Sequence, residues 1–328
     1  MEAVKTERLT KYYGKARGIV GLDLCVGEGE FFGYIGPNGA GKSTTIRTLL
    51  GLIQPSSGKA YLLGKEIGKG SQEIRKEVGY LPSEAIFYQG MRVRDILSFS
   101  ARLRKADCQE EAERLCRRLD LDVSKRVEEL SFGNRKKAGI ICALQHKPRL
   151  LILDEPTSGL DPLMQREFFQ ILKERKEEGA TIFLSSHILS EIQKNCTRAA
   201  IVREGKMIAC DRVEVLARTN AKRVTVHGDI TASQLKGICG QTGKAAGGIQ
   251  GSVPGARGGS TQGSISGAGV GGIRDLQKEG DGFGFLYAGD INRLVRVLAG
   301  HQITDLSISE PDLEEIFLHY YLDGGDGK

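Results

Sequence analysis

The chain has 328 residues, enough for one large domain or a domain and a half. At 40% hydrophobic it can bury a substantial core, and 47 basic against 41 acidic residues leave a net charge of +6, too mild for a nucleic-acid-binding stripe. No run approaches the about 18 apolar residues of a membrane-crossing helix, and the opening MEAVKTERLTKYYG holds no apolar signal core, so any membrane role is expected to come through a partner.

Over residues 1–215, β-rich runs alternate with helical patterns, the mark of an α/β domain. Strands are predicted over Ile19–Val26, Phe31–Ile35, Leu150–Leu153, Thr181–Leu184 and Ala200–Arg203, and a charged helical segment over Leu103–Asp122. Between Phe31–Ile35 and the helical run Thr44–Leu50 lies Gly36-Pro37-Asn38-Gly39-Ala40-Gly41-Lys42-Ser43, a complete phosphate-binding loop. Its glycines let backbone N–H groups converge on a β-phosphate at a helix N-terminus. Gly36, Pro37, Asn38, Gly39, Ala40, Gly41, Lys42, Ser43 and Thr44 are thus the candidates to hold ATP. Lys42 is expected to reach the β- and γ-phosphates, and Ser43 to place its hydroxyl on Mg²⁺.

Further along, Leu150–Leu153 runs into Asp154 and Glu155, so a buried strand delivers two carboxylates at its carboxyl end, where open α/β sheets bind ligands. Asp154 is the candidate Mg²⁺ ligand, and Glu155 the general base that orients and polarises the attacking water. Beyond residue 215 the character changes. Strands are predicted over Arg223–His227, Phe283–Ala288 and Ile303–Ser307, with Asp290 capping a helix over Ile291–Leu298 and Pro311 opening another over Asp312–Tyr321. This reads as a small α+β accessory domain over 216–328. Residues 237–272, with 14 glycines and no aromatic or acidic residue, are expected to be a disordered insert within it. Seven cysteines without a Cys-x-x-Cys pair read as ordinary thiols of a reducing compartment.

The phosphate loop, the run Leu153-Asp154-Glu155-Pro156-Thr157-Ser158-Gly159-Leu160-Asp161, and Leu130-Ser131-Phe132-Gly133-Asn134 about 20 residues before it together resemble the ATP-binding cassette (ABC) ATPase family. The resemblance is close over residues 1–215. It extends loosely to Glu310-Pro311-Asp312-Leu313-Glu314-Glu315-Ile316-Phe317, which is similar to the ending of exporter-type subunits. It implies a P-loop NTPase fold with a mixed sheet core and a helical subdomain. It also implies that Ser131 and Gly133 bind the γ-phosphate held by the opposite subunit, that Tyr13 stacks on adenine in preference to Tyr12, that His187 contacts the γ-phosphate and attacking water, and that Asp161 communicates across the dimer. The signature departs from the family's usual Leu-Ser-Gly-Gly-Gln at Phe132 and Asn134, and the family's usual Gln near Mg²⁺ is replaced by Ser83, with Glu84 beside it.

The expected function is an ATP-hydrolysing subunit that pairs with a second copy or a related cassette and drives a separate integral membrane permease, as an exporter. It is expected to sit in the cytoplasm, peripheral on the inner face of the membrane. A soluble family member acting on ribosomes or nucleic acid is the alternative, disfavoured by the single cassette and the mild charge. A nucleotide-binding module without turnover ranks last, because Glu155 and His187 are both present.

Overall fold

The computed structural model describes residues 1–68, 72–216, 221–237, 272–309 and Pro311. Most of the glycine-rich stretch, with Cys239, lies outside the described residues, as do Glu310 and the helix expected over Asp312–Tyr321. The described residues fall into two compact units, one over 1–216 and one over 221–311. Among them no helix is long and apolar enough to cross a membrane.

The first unit begins with the antiparallel pair β1 (Glu2–Tyr13) and β2 (Ala16–Gly27) and continues with β3 (Phe31–Ile35) and α1 (Lys42–Leu49). Next come β4 (Ser57–Leu62), β5 (Lys65–Glu66), α2 (Gln72–Lys76) and β6 (Val78–Leu81). The helices α3 (Val93–Arg104), α4 (Gln109–Arg118) and α5 (Phe132–Leu144) follow. Then come β7 (Leu150–Asp154), α6 (Pro162–Glu177), β8 (Thr181–Ser186), α7 (Leu189–Asn195), β9 (Arg198–Arg203), β10 (Lys206–Arg212) and α8 (Val213–Leu216).

Two sheets form in this unit. One has the order β2-β1-β4-β5; the other, β10-β9-β3-β8-β7-β6, is parallel throughout except for the antiparallel edge β10. The central strands β3, β7 and β8 are buried at every position, as parallel strands covered on both faces must be. In β2, by contrast, Leu22, Leu24 and Val26 point inward while Asp23 and Cys25 do not, the alternation of a sheet with one covered face. Because β3, β8, β7 and β6 are parallel neighbours, the loops after Ile35, Ser186, Asp154 and Leu81 all leave the same edge of the sheet.

The helical segment expected over Leu103–Asp122 is two helices. Lys105 closes α3 in the left-handed region at φ 54°, and α4 does not begin until Gln109. Leu119 and Leu121, past the end of α4, are nonetheless buried, so their apolar spacing reports packing and not helix. An ionic belt joins α4 to α6: Arg118 holds Glu167 and Glu174, Arg114 holds Glu174, and the fully buried Arg175 pairs with Glu111 and Glu178.

The second unit has the chain order β11 (Ala221–Gly228), α9 (Ala232–Gly237), β12 (Gly272–Glu279), β13 (Gly282–Ala288), α10 (Ile291–Leu298), β14 (Ile303–Ser309). Its antiparallel sheet runs β12-β13-β11-β14. Val224, Val226, Phe285 and Tyr287 on one face pack with Leu235, Leu294 and Leu298 from the helices. Asp290 caps α10, its carboxylate accepting from the Asn292 N–H at 2.9 Å.

Candidate active site

The phosphate loop turns out of β3 into α1 as its sequence requires. Gly41 sits at φ 100°, and a Cβ there would stand 2.5 Å from the Gly18 carbonyl oxygen. At Gly36 a Cβ would stand 2.4 Å from the Val202 carbonyl oxygen, so the strand end and the loop pass too close for any side chain. Inside this turn the buried Lys42 donates from Nζ to the Gly36 oxygen at 2.6 Å and the Pro37 oxygen at 3.2 Å.

Lys42 also meets Glu155, whose Oε1 lies 3.2 Å from Nζ. The other oxygen of Glu155 is 2.7 Å from His187 Nδ1, so the three residues expected to be catalytic form one connected group. Glu155 is only 14% exposed on its side chain, whereas His187 is half exposed and able to reach a ligand. The backbone of Glu155 has φ 48°, a left-handed conformation that costs a non-glycine residue about 1–3 kcal/mol and persists only where its surroundings impose it.

A cleft of about 320 Å³ opens over Lys42 and Glu155, lined by Tyr13, Arg17, Gly18, Pro37, Asn38, Gly39, Gly41, Lys42, Ser43, Thr44, Ser83 and Glu155, with His187 and Asp154 outside its lining. Tyr13 is 47% exposed at the end of β1, with the Lys11 amine 5.5 Å over its ring. Of the two residues at the missing Gln, Ser83 lines the cleft and Glu84 is exposed outside its lining. Asp154 is buried, and its Oδ1 has no hydrogen-bond partner. An unsatisfied buried carboxylate oxygen on Asp154 and a half-buried hydroxyl on Ser43 are hard-oxygen donors of the kind Mg²⁺ takes.

Ser131, Gly133 and Asp161 do not line this cleft. Ser131 caps α5, accepting from the Asn134 N–H at 3.2 Å, and Asp161 caps α6, accepting from Leu163 and Met164 at 3.0 Å each. The two segments touch within the chain: the Phe132 ring lies so close over Gly159 that a Cβ there would meet it at 2.2 Å, and a Cβ on Gly133 would meet the Gly159 oxygen at 2.6 Å.

Lys136 escaped the sequence reading. It lies on α5, fully buried, and its Nζ donates to the Ser83 oxygen at 2.7 Å and the Pro82 oxygen at 3.3 Å, fastening the loop after β6 to the helix that carries the signature. Burial pulls its amine down to about 8, against the raising pull of Asp154 and Glu155. The available signal was its spacing: Lys136, Ile140 and Leu144 share one buried face of α5, and a lysine on such a face needs a partner.

The sequence profile of the ABC transporter family matches residues 19–158. The bacitracin transport ATP-binding protein of Bacillus licheniformis is 38% identical over 223 residues, which cover 67% of this chain and 72% of that protein. The solved structure of an ATP-binding subunit of an ABC transporter superposes with a TM-score of 0.62 at 30% identity, covering 66% of this chain and 92% of that one. A dimeric cassette in a post-hydrolysis state, bound to ADP and phosphate, shares the fold at a TM-score of 0.57 and 22% identity, over 64% of this chain and 98% of that one. On these matches the chain, with its phosphate loop and paired carboxylates at the end of a parallel sheet, belongs to the ABC transporter family as one of its ATP-binding, ATP-hydrolysing subunits.

Proposed function

We propose that this chain is the motor of an exporter, closing with a second copy or a related cassette around two ATP molecules and pulling on a separate integral membrane permease. In this reading residues 1–215 are the ATPase domain, and 216–328 an accessory domain carrying the 237–272 insert. Gly36 to Thr44 cradle the phosphates, Tyr13 stacks on adenine, and Lys42 moves from Glu155 to the β- and γ-phosphate oxygens. Ser43 and Asp154 hold Mg²⁺, which when bound neutralises charge on the phosphate oxygens. Glu155 accepts the proton of the attacking water while His187 orients it from the other side, and the protein contributes mainly by positioning and charge stabilisation.

The observation that carries the pairing is the division of the site. Tyr13, the phosphate loop, Ser83 and Glu155 line one cleft, and Ser131, Gly133 and Asp161 stand outside it, where a second copy's nucleotide could meet them. The relative named for bacitracin transport supports export. Exposed Ile86, Tyr88, Phe99 and Leu103, over the segment just after Ser83, supply an apolar surface for a membrane partner that would hold the subunit at the inner face of the membrane.

The test is a pull-down of Glu155→Gln protein, loaded with Mg-ATP, from detergent-solubilised membranes of its source. Recovery of a polytopic membrane protein in fixed ratio is the expected result. Recovery of ribosomes or nucleic acid in its place would overturn the transport coupling and leave the ATPase assignment standing.

A further inference from the structure

Behind Glu155 and His187 lies a second carboxylate with no part in the chemistry described so far. Glu191 stands in the first turn of α7, four residues after His187, and is 8% exposed. A carboxylate so deeply placed requires partners, and Glu191 has two from different segments. Ser186, the last residue of β8 and fully buried, donates its hydroxyl to Glu191 Oε2 at 2.9 Å. Thr157, also buried and two residues past Glu155, is the second hydroxyl hydrogen-bonded to the Glu191 carboxyl. The Ser186 oxygen accepts in turn from the Ile188 N–H at 3.0 Å, so the bonds bracket His187 on both sides. Asn195 ties the Glu191 carbonyl to the far end of α7 at 2.8 Å.

This places Glu191 at the join of two turns. One leaves β7 and carries Glu155; the other leaves β8 and carries His187. The Glu155 turn holds its residue at φ 48°, a conformation that relaxes unless the neighbouring chain is fixed. Its local backbone bonds are the Glu155 N–H to the Ser185 oxygen at 3.0 Å, a 3.4 Å contact from the Ser158 N–H back to the Glu155 oxygen, and the Leu160 N–H to the Thr157 oxygen at 3.0 Å, none of which reaches α7. Thr157 lies inside that turn, and its bond to Glu191 ties the turn to α7.

We propose that Glu191 is a positioning residue for ATP hydrolysis: by bridging Thr157 and Ser186 it clamps the turn bearing Glu155 to the turn bearing His187 and keeps their side chains in register. The inference rests on the reading of Glu155 as general base. It assigns Glu191 no contact with nucleotide, so its loss acts on turnover and leaves binding alone.

The experiment compares Glu191→Ala, Glu191→Gln and Glu155→Gln in the full-length protein, with kcat for Mg-ATP hydrolysis and the Kd of a fluorescent ATP analogue read on each. Glu191→Ala is expected to lower kcat on the order of 10- to 100-fold, the loss that misplacing a reacting group produces, with Kd within about twofold of the parent. Glu191→Gln keeps the reach and a hydrogen-bonding oxygen, and is expected to recover most of kcat. If Glu191→Ala does not fold, Thr157→Val, which removes one of the two bridging hydroxyls, is expected to give the same split in milder form. Parent-like kcat in Glu191→Ala beside an inactive Glu155→Gln would overturn the positioning role alone. So would a loss of kcat matched by a loss of affinity that Glu191→Gln does not repair. Turnover retained in Glu155→Gln would overturn the base assignment, and this inference with it.

Discussion

Replacing Glu155 by Gln exchanges one carboxylate oxygen for an NH₂ group and removes one charge, and the structure sets what each loss is worth. The carboxylate bridges Lys42 at 3.2 Å and His187 at 2.7 Å with its side chain 14% exposed. At that separation the Lys42 pair carries about 5 kcal/mol of gross Coulomb attraction at an effective dielectric near 20. Desolvation of the two groups cancels most of it, leaving about 1–2 kcal/mol net. A phosphate entering the loop competes with this attraction for the lysine, so the variant is expected to bind Mg-ATP about 5- to 30-fold more tightly. Loss of the general base is expected to slow hydrolysis by about 10²- to 10⁴-fold in the same protein. The chain has no tryptophan, so affinity is best read with a fluorescent ATP analogue and hydrolysis by rapid quench in a single turnover. Opposite movement of the two quantities is the signature of the mechanism. Turnover within about threefold of the parent, or weaker binding alongside slower hydrolysis, would refute it.

Two other changes test the scaffold. Gly41→Ala forces a side chain into φ 100° and against the Gly18 oxygen. It is expected to cost about 2–4 kcal/mol of stability and to abolish nucleotide binding, read by thermal melting and titration; an unaltered melting temperature with intact binding would contradict it. The half-buried His146 is held by burial and by the neighbouring Arg104 at about 4, down from 6.5. Its folded value lies below the unfolded one, so its contribution is complete above about pH 6.5 and is lost as the pH falls towards 4. Between pH 7.5 and 5 the parent should therefore lose about 1–2 kcal/mol more than His146→Gln in urea melts, a figure discounted for its partial exposure; equal losses would show that His146 is not a source of acid lability.

The phosphate loop, the carboxylate pair and the buried strands that deliver them were legible in the sequence because each couples an unbroken apolar run to a polar terminus. The strands β1, β4 and β5 were not. β1 mixes Glu7, Arg8 and Lys11 with its apolar residues, and its pairing with β2 slips register four times, which erases the period-two signal. The break between α3 and α4 was hidden because Lys105 adopts a left-handed conformation that neither its own nor its neighbours' residue types announce. At the site, residue types pointed to groups expected to touch ligand and passed over those that hold them in place. Lys136 and Glu191 act through carbonyls and hydroxyls distant in sequence, and only the folded chain brings these together. Ser131 and Asp161 show the converse difficulty, since a residue suited to a helix cap is also suited to an anion or a partner chain.

The belt between α4 and α6 makes these two helices a single spar. Arg118 grips α6 at Glu167 and Glu174, almost two turns apart, and Arg175 grips α4 from within the protein at Glu111, so neither helix can roll without breaking charge-assisted bonds that water only partly reaches. The spar is about 24 Å long over the 16 residues of α6, and it ends at Asp161. A shift of α4 is therefore coupled through these ion pairs to α6, whose first turn follows Gly159 and Asp161, the turn that Phe132 also presses on from the start of α5. The three-helix region is thus tied by side-chain charge, as well as through the sheet, to the helix that starts just past Glu155.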